Sequence, residues 1–175
     1  MMTYSKIFRQ PETKFGVSQK QNLSQKDLYN KALNYLARRE HSRLELKRKL
    51  SQFSDNIDDI NAVLDKLDDK KLQSDERFSE SFIHSKASKY GQERLKETLK
   101  QKGVALAVIQ EYLPDFQTEI KNAVAILHKK LGKPRHLTIE EKQKTYRFLQ
   151  YRGFGVEISK TALQQWQKGE ENDWA

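Results

Sequence analysis

Apolar residues recur at every third or fourth position along most of the chain. One such stripe is Ile60, Val63, Leu64 and Leu67, and comparable stripes run through the rest of the sequence. This spacing is typical of amphipathic α-helices, whereas a half-buried strand would show strict alternation of apolar and polar residues. Because only three Pro and seven Gly interrupt the pattern, the sequence predicts an all-α fold.

Capping residues mark the helix ends. Segments 42–45 (SRLE) and 138–141 (TIEE) have the form of a capping box, in which a hydroxyl and a glutamate satisfy the first helical N–H groups. Gly103 and Gly153 each lie between a basic and an apolar residue, which predicts a helix C-cap with a left-handed glycine. Gly91 is also predicted to turn left-handed, because it lacks a Cβ.

The helical pattern repeats along the sequence. A shift of 50 residues aligns Leu99, Gly103, Val104, Val108 and Leu113 with Leu149, Gly153, Phe154, Ile158 and Leu163. Such self-similarity indicates tandem helical units that bury their faces against one another. We therefore predict three tandem three-helix, helix-turn-helix-like repeats in an elongated, curved array. The predicted divisions are a flexible basic arm over 1–26, repeats over 27–73, 74–116 and 117–167, and an acidic tail over 168–175, with Asp75 as an N-cap.

Composition excludes several classes of protein. Charged residues make up 33% of the chain and hydrophobic residues 36%, and no apolar run has the length of a membrane span or of a secretory signal. We therefore expect a cytoplasmic protein. The absence of Cys excludes disulfides, thiolate metal sites and a Cys nucleophile. The four His lack metal-ligand spacing, and no Gly-rich phosphate loop is present, so we expect no metal, no cofactor and no enzymatic activity.

Positive charge is in surplus and is segregated along the chain. Lys and Arg number 33 against 24 Asp and Glu, a net charge of +9, which favours a polyanionic partner. Basic residues cluster at the ends of first helices, where the helix dipole alone could explain them, and along second helices, where it explains them less well. The candidate contacts for a partner are Arg38, Arg39, Arg43, Lys47, Arg48, Lys86, Lys89, Arg94, Lys96, Lys100, Lys129, Lys130, Lys144, Arg147 and Arg152. If the units stack with a constant rotation, these side chains form one basic face.

The aromatic residues divide into two groups. Phe78 and Phe82 have helical spacing and are expected in the core, as is Phe148 beside Leu149. Tyr90 and Tyr151 adjoin basic residues near predicted helix ends, where a ring could stack on a nucleic-acid base. Each of the two tyrosines could equally be a half-buried ring at a boundary between units.

Three segments, in order, resemble the RecX family of recombinase regulators. The first is 32–42 (ALNYLARREHS), the second is 72–78 (LQSDERF) continuing to 99–104 (LKQKGV), and the third is 147–154 (RFLQYRGF). The resemblance implies an all-helical protein without catalytic activity that binds the RecA recombinase in the groove of the RecA–DNA filament. It further implies inhibition of ATP hydrolysis and strand exchange, and so a role in DNA repair, recombination and the SOS response. Only the basic residues of these segments are candidate contacts.

Two other functions remain open at the level of sequence. The chain could be a helix-turn-helix protein that binds DNA directly, with Gln92 and Arg94 available to a groove in one unit, although Asp58 and Asp59 would repel phosphate in another. It could also be a helical scaffold for an acidic partner. For the leading hypothesis we expect a monomer whose partners are the RecA filament and single- and double-stranded DNA, bound nonspecifically and in a salt-dependent way.

Overall fold

The computed structural model describes residues 22–169. This part of the chain forms nine α-helices and no strand, which confirms the all-α prediction. The helices are α1 (Gln25–Leu36), α2 (Arg43–Leu50), α3 (Ile57–Asp69), α4 (Asp75–Lys86), α5 (Gln92–Gln101), α6 (Leu106–Tyr112), α7 (Phe116–Leu131), α8 (Ile139–Tyr151) and α9 (Val156–Lys168). The predicted basic arm over 1–26 and acidic tail over 168–175 lie mostly outside the described residues. Their described parts belong to helices, since Ser24 caps α1, Gln25 and Lys26 begin it, and Lys168 ends α9.

Each set of three consecutive helices encloses its own buried cluster. Unit 1 (α1–α3) has a core that includes Leu28, Leu46 and Ile60, and unit 2 (α4–α6) has a smaller one around Phe78. Unit 3 (α7–α9) has the largest described core, in which α7 packs along α9 and Trp166 is fully buried. Three separate cores confirm the predicted three-helix repeats, and they explain how a chain with few apolar residues folds.

Side chains fix most of the described helix starts. Thr138 and Glu141 form both halves of the predicted capping box. At α2, the Ser42 hydroxyl accepts the Glu45 N–H at 3.1 Å, but the Glu45 carboxylate binds other residues, so the second capping box is only half formed.

Asp75 is not an N-cap, contrary to the prediction. The hydroxyl of Ser74 takes that role at the start of α4 and accepts the Arg77 N–H at 3.2 Å. Asp75 is the first helical residue, and its carboxylate is directed at unit 1 instead.

The predicted glycine C-caps are confirmed. Gly103 and Gly153 have φ values of +82° and +86°, the left-handed region that favours glycine. Gly103 donates its N–H to Lys100 O at 2.9 Å and Val104 donates to Leu99 O at 3.1 Å, as in a Schellman motif. The same two bonds close α8.

The prediction for Gly91 is wrong in its reason. Gly91 has an ordinary φ of −78° and is the N-cap of α5. A Cβ at this position would overlap the backbone of Gly153 and Phe154. Glycine is needed here because two units approach each other closely at this residue.

The second helices of the three units meet end to end. The end of α5 lies against the start of α2, where the Ser42 hydroxyl donates to Lys102 O at 2.7 Å; we call this the first junction. The end of α8 lies against the start of α5, where the Gly91 N–H donates to Arg152 O at 2.9 Å; this is the second junction. In both, the negative end of one helix dipole faces the positive end of the next.

A carboxylate from the following unit completes each junction. Asp75 accepts the Arg43 N–H at 2.8 Å in the first junction, and Glu119 accepts the Gln92 N–H at 2.9 Å in the second. Burial raises the pKa of Glu119, against the hydrogen bond from Gln92, which lowers it. The two junctions therefore share one geometry. In each, the end of one second helix faces the start of another, and a carboxylate accepts the first N–H of that helix.

Candidate polyanion interface

The second junction forms a cleft that collects four of the predicted basic residues. Its cavity volume is about 460 Å³, and we call it the basic cleft. The residues that line it are Ser88, Lys89, Ile126, Lys129, Lys130, Phe148 and Arg152. No carboxylate is among them, so the cleft presents an uncompensated positive charge.

Three elements position the cations of the basic cleft. Lys89 lies in the turn between α4 and α5, Lys129 and Lys130 are in the last turn of α7, and Arg152 is the C-cap of α8. The Arg152 guanidinium donates to Lys89 O at 3.1 Å, which fixes it across the boundary between units 2 and 3.

Phe148 forms an aromatic wall of the basic cleft. The Lys130 ammonium lies 4.1 Å from the centre of its ring and the Arg152 guanidinium 4.7 Å from it, within the range of cation–π contacts. The prediction that Phe148 is a core residue is thus only partly right, because its partly buried ring also contacts both cations. These contacts hold the two cations in place before any ligand arrives.

Helix dipoles account for only part of this charge. The cations stand at the C-terminal ends of α4, α7 and α8, and each end carries about −0.5 of an elementary charge. Three ends offset about −1.5 charges against four cations. A net positive charge therefore remains in the basic cleft and can attract a ligand.

Equivalent positions in the first junction are neutralised by acids. Glu40 and Glu45 occupy the places that Lys89 and Arg94 hold in the second junction, counted from the start of the second helix. Glu45 pairs with Lys102, the counterpart of Arg152. Of the two junctions, therefore, only the second carries a cleft whose charged lining residues are all cations.

The ion pairs that Glu45 makes in the first junction lower its pKa. Burial would raise that pKa, but hydrogen bonds from Lys102 and Arg39 outweigh burial and hold it below its usual value. Glu40 in turn accepts from the Arg77 guanidinium at 2.9 Å. The cations here are committed to protein carboxylates.

Three of the predicted basic residues are engaged inside the molecule. Arg39 pairs with Glu45 at 2.9 Å, and Arg43 pairs with Asp65. Arg94 contacts two tyrosine rings and donates to Tyr151 O at 3.0 Å. The ion pairs of Arg39 and Arg43 lie at the surface, where these side chains are 53% and 38% exposed.

The other predicted basic residues are exposed or partly exposed. Arg147 donates to a carbonyl of its own helix. No hydrogen bond or ion pair to another residue in 22–169 is found for the side chains of Arg38, Lys47, Arg48, Lys86, Lys96, Lys100 and Lys144. We predicted that these side chains form one continuous basic face together with the basic cleft. This stays a prediction.

One of the four histidines is buried. His41 is buried, and its Nδ1 lies 3.0 Å from Arg39 O. Burial lowers the pKa of His41, and its ring contacts the Tyr35 ring with centroids 5.9 Å apart. Among residues 22–169, no three His, Asp or Glu side chains are grouped as a metal site.

Sequence reasoning missed the walls of the basic cleft. Ser88 and Ile126 line it, yet neither stands out by residue type or spacing. Lys102 was interpreted only as a C-cap residue, whereas it also joins units 1 and 2 through Glu45.

Within the described chain, none of the helices combines the length and hydropathy needed to cross a bilayer.

Comparisons with known proteins agree with this architecture. Family models for the first, second and third three-helix domains of RecX match residues 29–67, 74–113 and 117–163. The regulatory protein RecX of Neisseria meningitidis serogroup B is 40% identical over 150 residues, which cover 85% of this chain and 97% of that protein. RecX of Herbaspirillum seropedicae is 39% identical over 135 residues, covering 77% and 87%. The crystal structure of RecX from Lactobacillus salivarius superimposes with a TM-score of 0.72 at 23% identity, over 82% of this chain and 97% of that one.

Proposed function

The chain belongs to the RecX family of regulatory proteins, and from this premise we propose that it restrains the RecA recombinase by docking its basic cleft in the groove of the RecA–DNA filament. Docking there inhibits ATP hydrolysis and strand exchange, and so modulates DNA repair and recombination in the cytoplasm. The protein acts as a monomer and without catalysis of its own.

The observation that carries this proposal is the uncompensated charge of the basic cleft. Lys89, Lys129, Lys130 and Arg152 line one cavity without a carboxylate. Such a cavity suits the phosphates of the filament's DNA or acidic side chains of the recombinase.

The repeated junctions suggest how one monomer engages several recombinase subunits. Three units joined on one plan present contacts at intervals along the array. Once one contact forms, the effective concentration of the next rises, so weak contacts add up to firm binding.

Direct reading of DNA sequence by a helix-turn-helix is disfavoured by the contacts of α5. The Gln92 side chain donates to Pro114 O at 2.6 Å, and Arg94 is held against Tyr90 and Tyr151. Both residues are thus engaged within the protein and are unavailable to base edges. The alternative that remains is nonspecific, salt-dependent binding to the DNA backbone.

The test is ATP hydrolysis by the cognate RecA on single-stranded DNA, with and without a substoichiometric amount of this protein. We expect wild-type protein to inhibit hydrolysis, and Lys89→Glu combined with Lys129→Glu to inhibit at least about tenfold less well, since like charges then face the partner. Both side chains are exposed, so the fold should tolerate the change.

The matched control is Lys142→Glu with Lys160→Glu, which changes net charge equally without altering a residue of the basic cleft. Equal loss in both double variants would assign the effect to net charge alone, and absence of inhibition by the wild type would refute the proposal.

A further inference from the structure

A second pocket adjoins the basic cleft on another side of the last turn of α8. It has a volume of about 390 Å³, and we call it the Tyr151 pocket. The residues that line it are Glu93, Arg94, Glu97, Thr98, Gln101, Gln150, Tyr151 and Gly153. Its size falls within the roughly 300–1,000 Å³ of small-molecule sites.

Tyr151 is an unusually exposed aromatic residue for a junction between packed units. Its side chain is 78% exposed, against 3% for Phe78 in the core of unit 2. An aromatic ring left this open loses the burial that makes such residues stabilising. Packing in the described chain does not explain its position.

The ring is nevertheless held in a defined place. The Arg94 guanidinium lies 5.3 Å from the centre of the Tyr151 ring and 4.8 Å from that of Tyr90. Arg94 also donates to Tyr151 O at 3.0 Å. Since Tyr90 is half-buried, Arg94 links the exposed ring to the body of the protein.

We propose that Tyr151 is a stacking platform for an unpaired nucleic-acid base whose neighbouring phosphates enter the basic cleft. Tyr151 and Arg152 are consecutive at the end of α8, and consecutive side chains diverge by about 100° around a helix. A strand that crosses this helix end can therefore place a base on one side and phosphate on another. The inference rests on the proposed function, because it names the part of the filament that this site contacts.

The chemistry of the Tyr151 pocket favours a base over other ligands. Glu93 and Glu97 repel phosphate and acidic peptides from this side, while the Gln150 amide suits the polar edge of a base. The Gln101 amide donates to Glu97 at 3.1 Å and presents its oxygen as an acceptor. Base–aromatic stacking tolerates any sequence. A base within a duplex is already stacked and paired, so the site selects single strands.

The experiment compares binding to two labelled oligonucleotides about 12 nucleotides long, within the site sizes of roughly 4–16 nucleotides known for stacking proteins. One is oligo-dT and the other is an abasic strand of the same length and charge. Tyr151→Leu should bind oligo-dT about tenfold more weakly than wild type and bind the abasic strand equally well. Tyr151→Trp should retain the affinity for oligo-dT, because it keeps a stacking surface.

Lys89→Glu with Lys129→Glu serves as the contrasting variant and should lose affinity for both strands. Unchanged binding of oligo-dT by Tyr151→Leu overturns the inference, and so does an equal loss on both strands. RecA ATPase inhibition is measured separately: if Tyr151→Leu still inhibits while oligo-dT binding is unchanged, the platform is wrong and the proposed function stands. If the wild type does not inhibit but Tyr151→Leu still loses affinity for oligo-dT alone, the platform stands and the proposed function is wrong.

Discussion

Gly91 and Gly153 lie against each other at the second junction, and each is glycine for its own physical reason. Gly153 has φ +86°, a conformation that is costly for any residue with a Cβ. Gly91 has φ −78°, which any residue can adopt, but a Cβ would overlap the backbone of Gly153. The flanking residues revealed the first role, whereas no local pattern reveals a neighbour 62 positions away.

Replacing Gly91 should therefore destabilise the protein through the junction. We expect Gly91→Ser to lower the free energy of unfolding by about 1–3 kcal/mol, the usual cost of overpacking. Gly155 is the matched control, since it is also a helix N-cap but has no atom within 4 Å of an added Cβ. Gly155→Ser should be neutral or slightly stabilising, because Ser is the better cap. Urea unfolding measures both, and equal costs would contradict the close-approach explanation.

At the scale of the helix, the sequence predicted nearly every element but not how elements of different units meet. Periodicity and caps are local, so they located α2, α5 and α8 and the glycines that end α5 and α8. Contacts between units join residues far apart in sequence, such as Ser42 with Lys102 and Arg43 with Asp75. Asp75 was misassigned for this reason: its position at a helix start is typical of a cap, but the helix it caps belongs to unit 1.

Ser42 both caps α2 and bonds to unit 2, so replacing it should cost more than replacing a cap that contacts no other unit. Its hydroxyl accepts the Glu45 N–H and donates to Lys102 O, and its side chain is fully buried. Ser42→Ala should thus lose a cap, worth about 1 kcal/mol, and leave the partly buried Lys102 carbonyl unpaired, at about 1–3 kcal/mol more. Ser74→Ala loses a cap and an exposed hydrogen bond to Glu76 of the same helix, but no contact with another unit. A cost for Ser42→Ala no larger than for Ser74→Ala, in thermal or urea unfolding, would show that the first junction does not depend on this bond.

At the scale of the whole molecule, charge distinguishes two junctions that the backbone builds alike. The sequence showed that basic residues recur in each unit. The acidic residues that pair with them lie on other helices, so the ion pairs could not be predicted. Glu45 removes Lys102 from the surplus, whereas Arg152 has no carboxylate in its cleft. Position along the repeat is therefore insufficient to predict a contact residue, and the set of four in the basic cleft emerges only from the fold.

If this difference in charge determines where a polyanion binds, the first junction can be converted. Glu40→Lys with Glu45→Arg installs the residue types of the second junction and releases Arg39, Lys102 and Arg77 from their carboxylates. We expect lower stability, because three ion pairs are lost, those of Glu45 with Arg39 and Lys102 and that of Glu40 with Arg77. We also expect tighter binding to single-stranded DNA with a steeper salt dependence, by about −0.7 in log–log slope for each phosphate gained.

Asp68→Lys with Asp69→Arg is the control, because it adds the same charge on the exposed end of α3 without altering a residue named in either junction. Charge spread over the surface should raise affinity in both variants, but only a cleft that collects its cations in one cavity should steepen the slope. Binding measured over a salt series distinguishes the two. The same slope in both variants would mean that the arrangement of cations at a junction is irrelevant, and that net charge alone draws the protein to its partner.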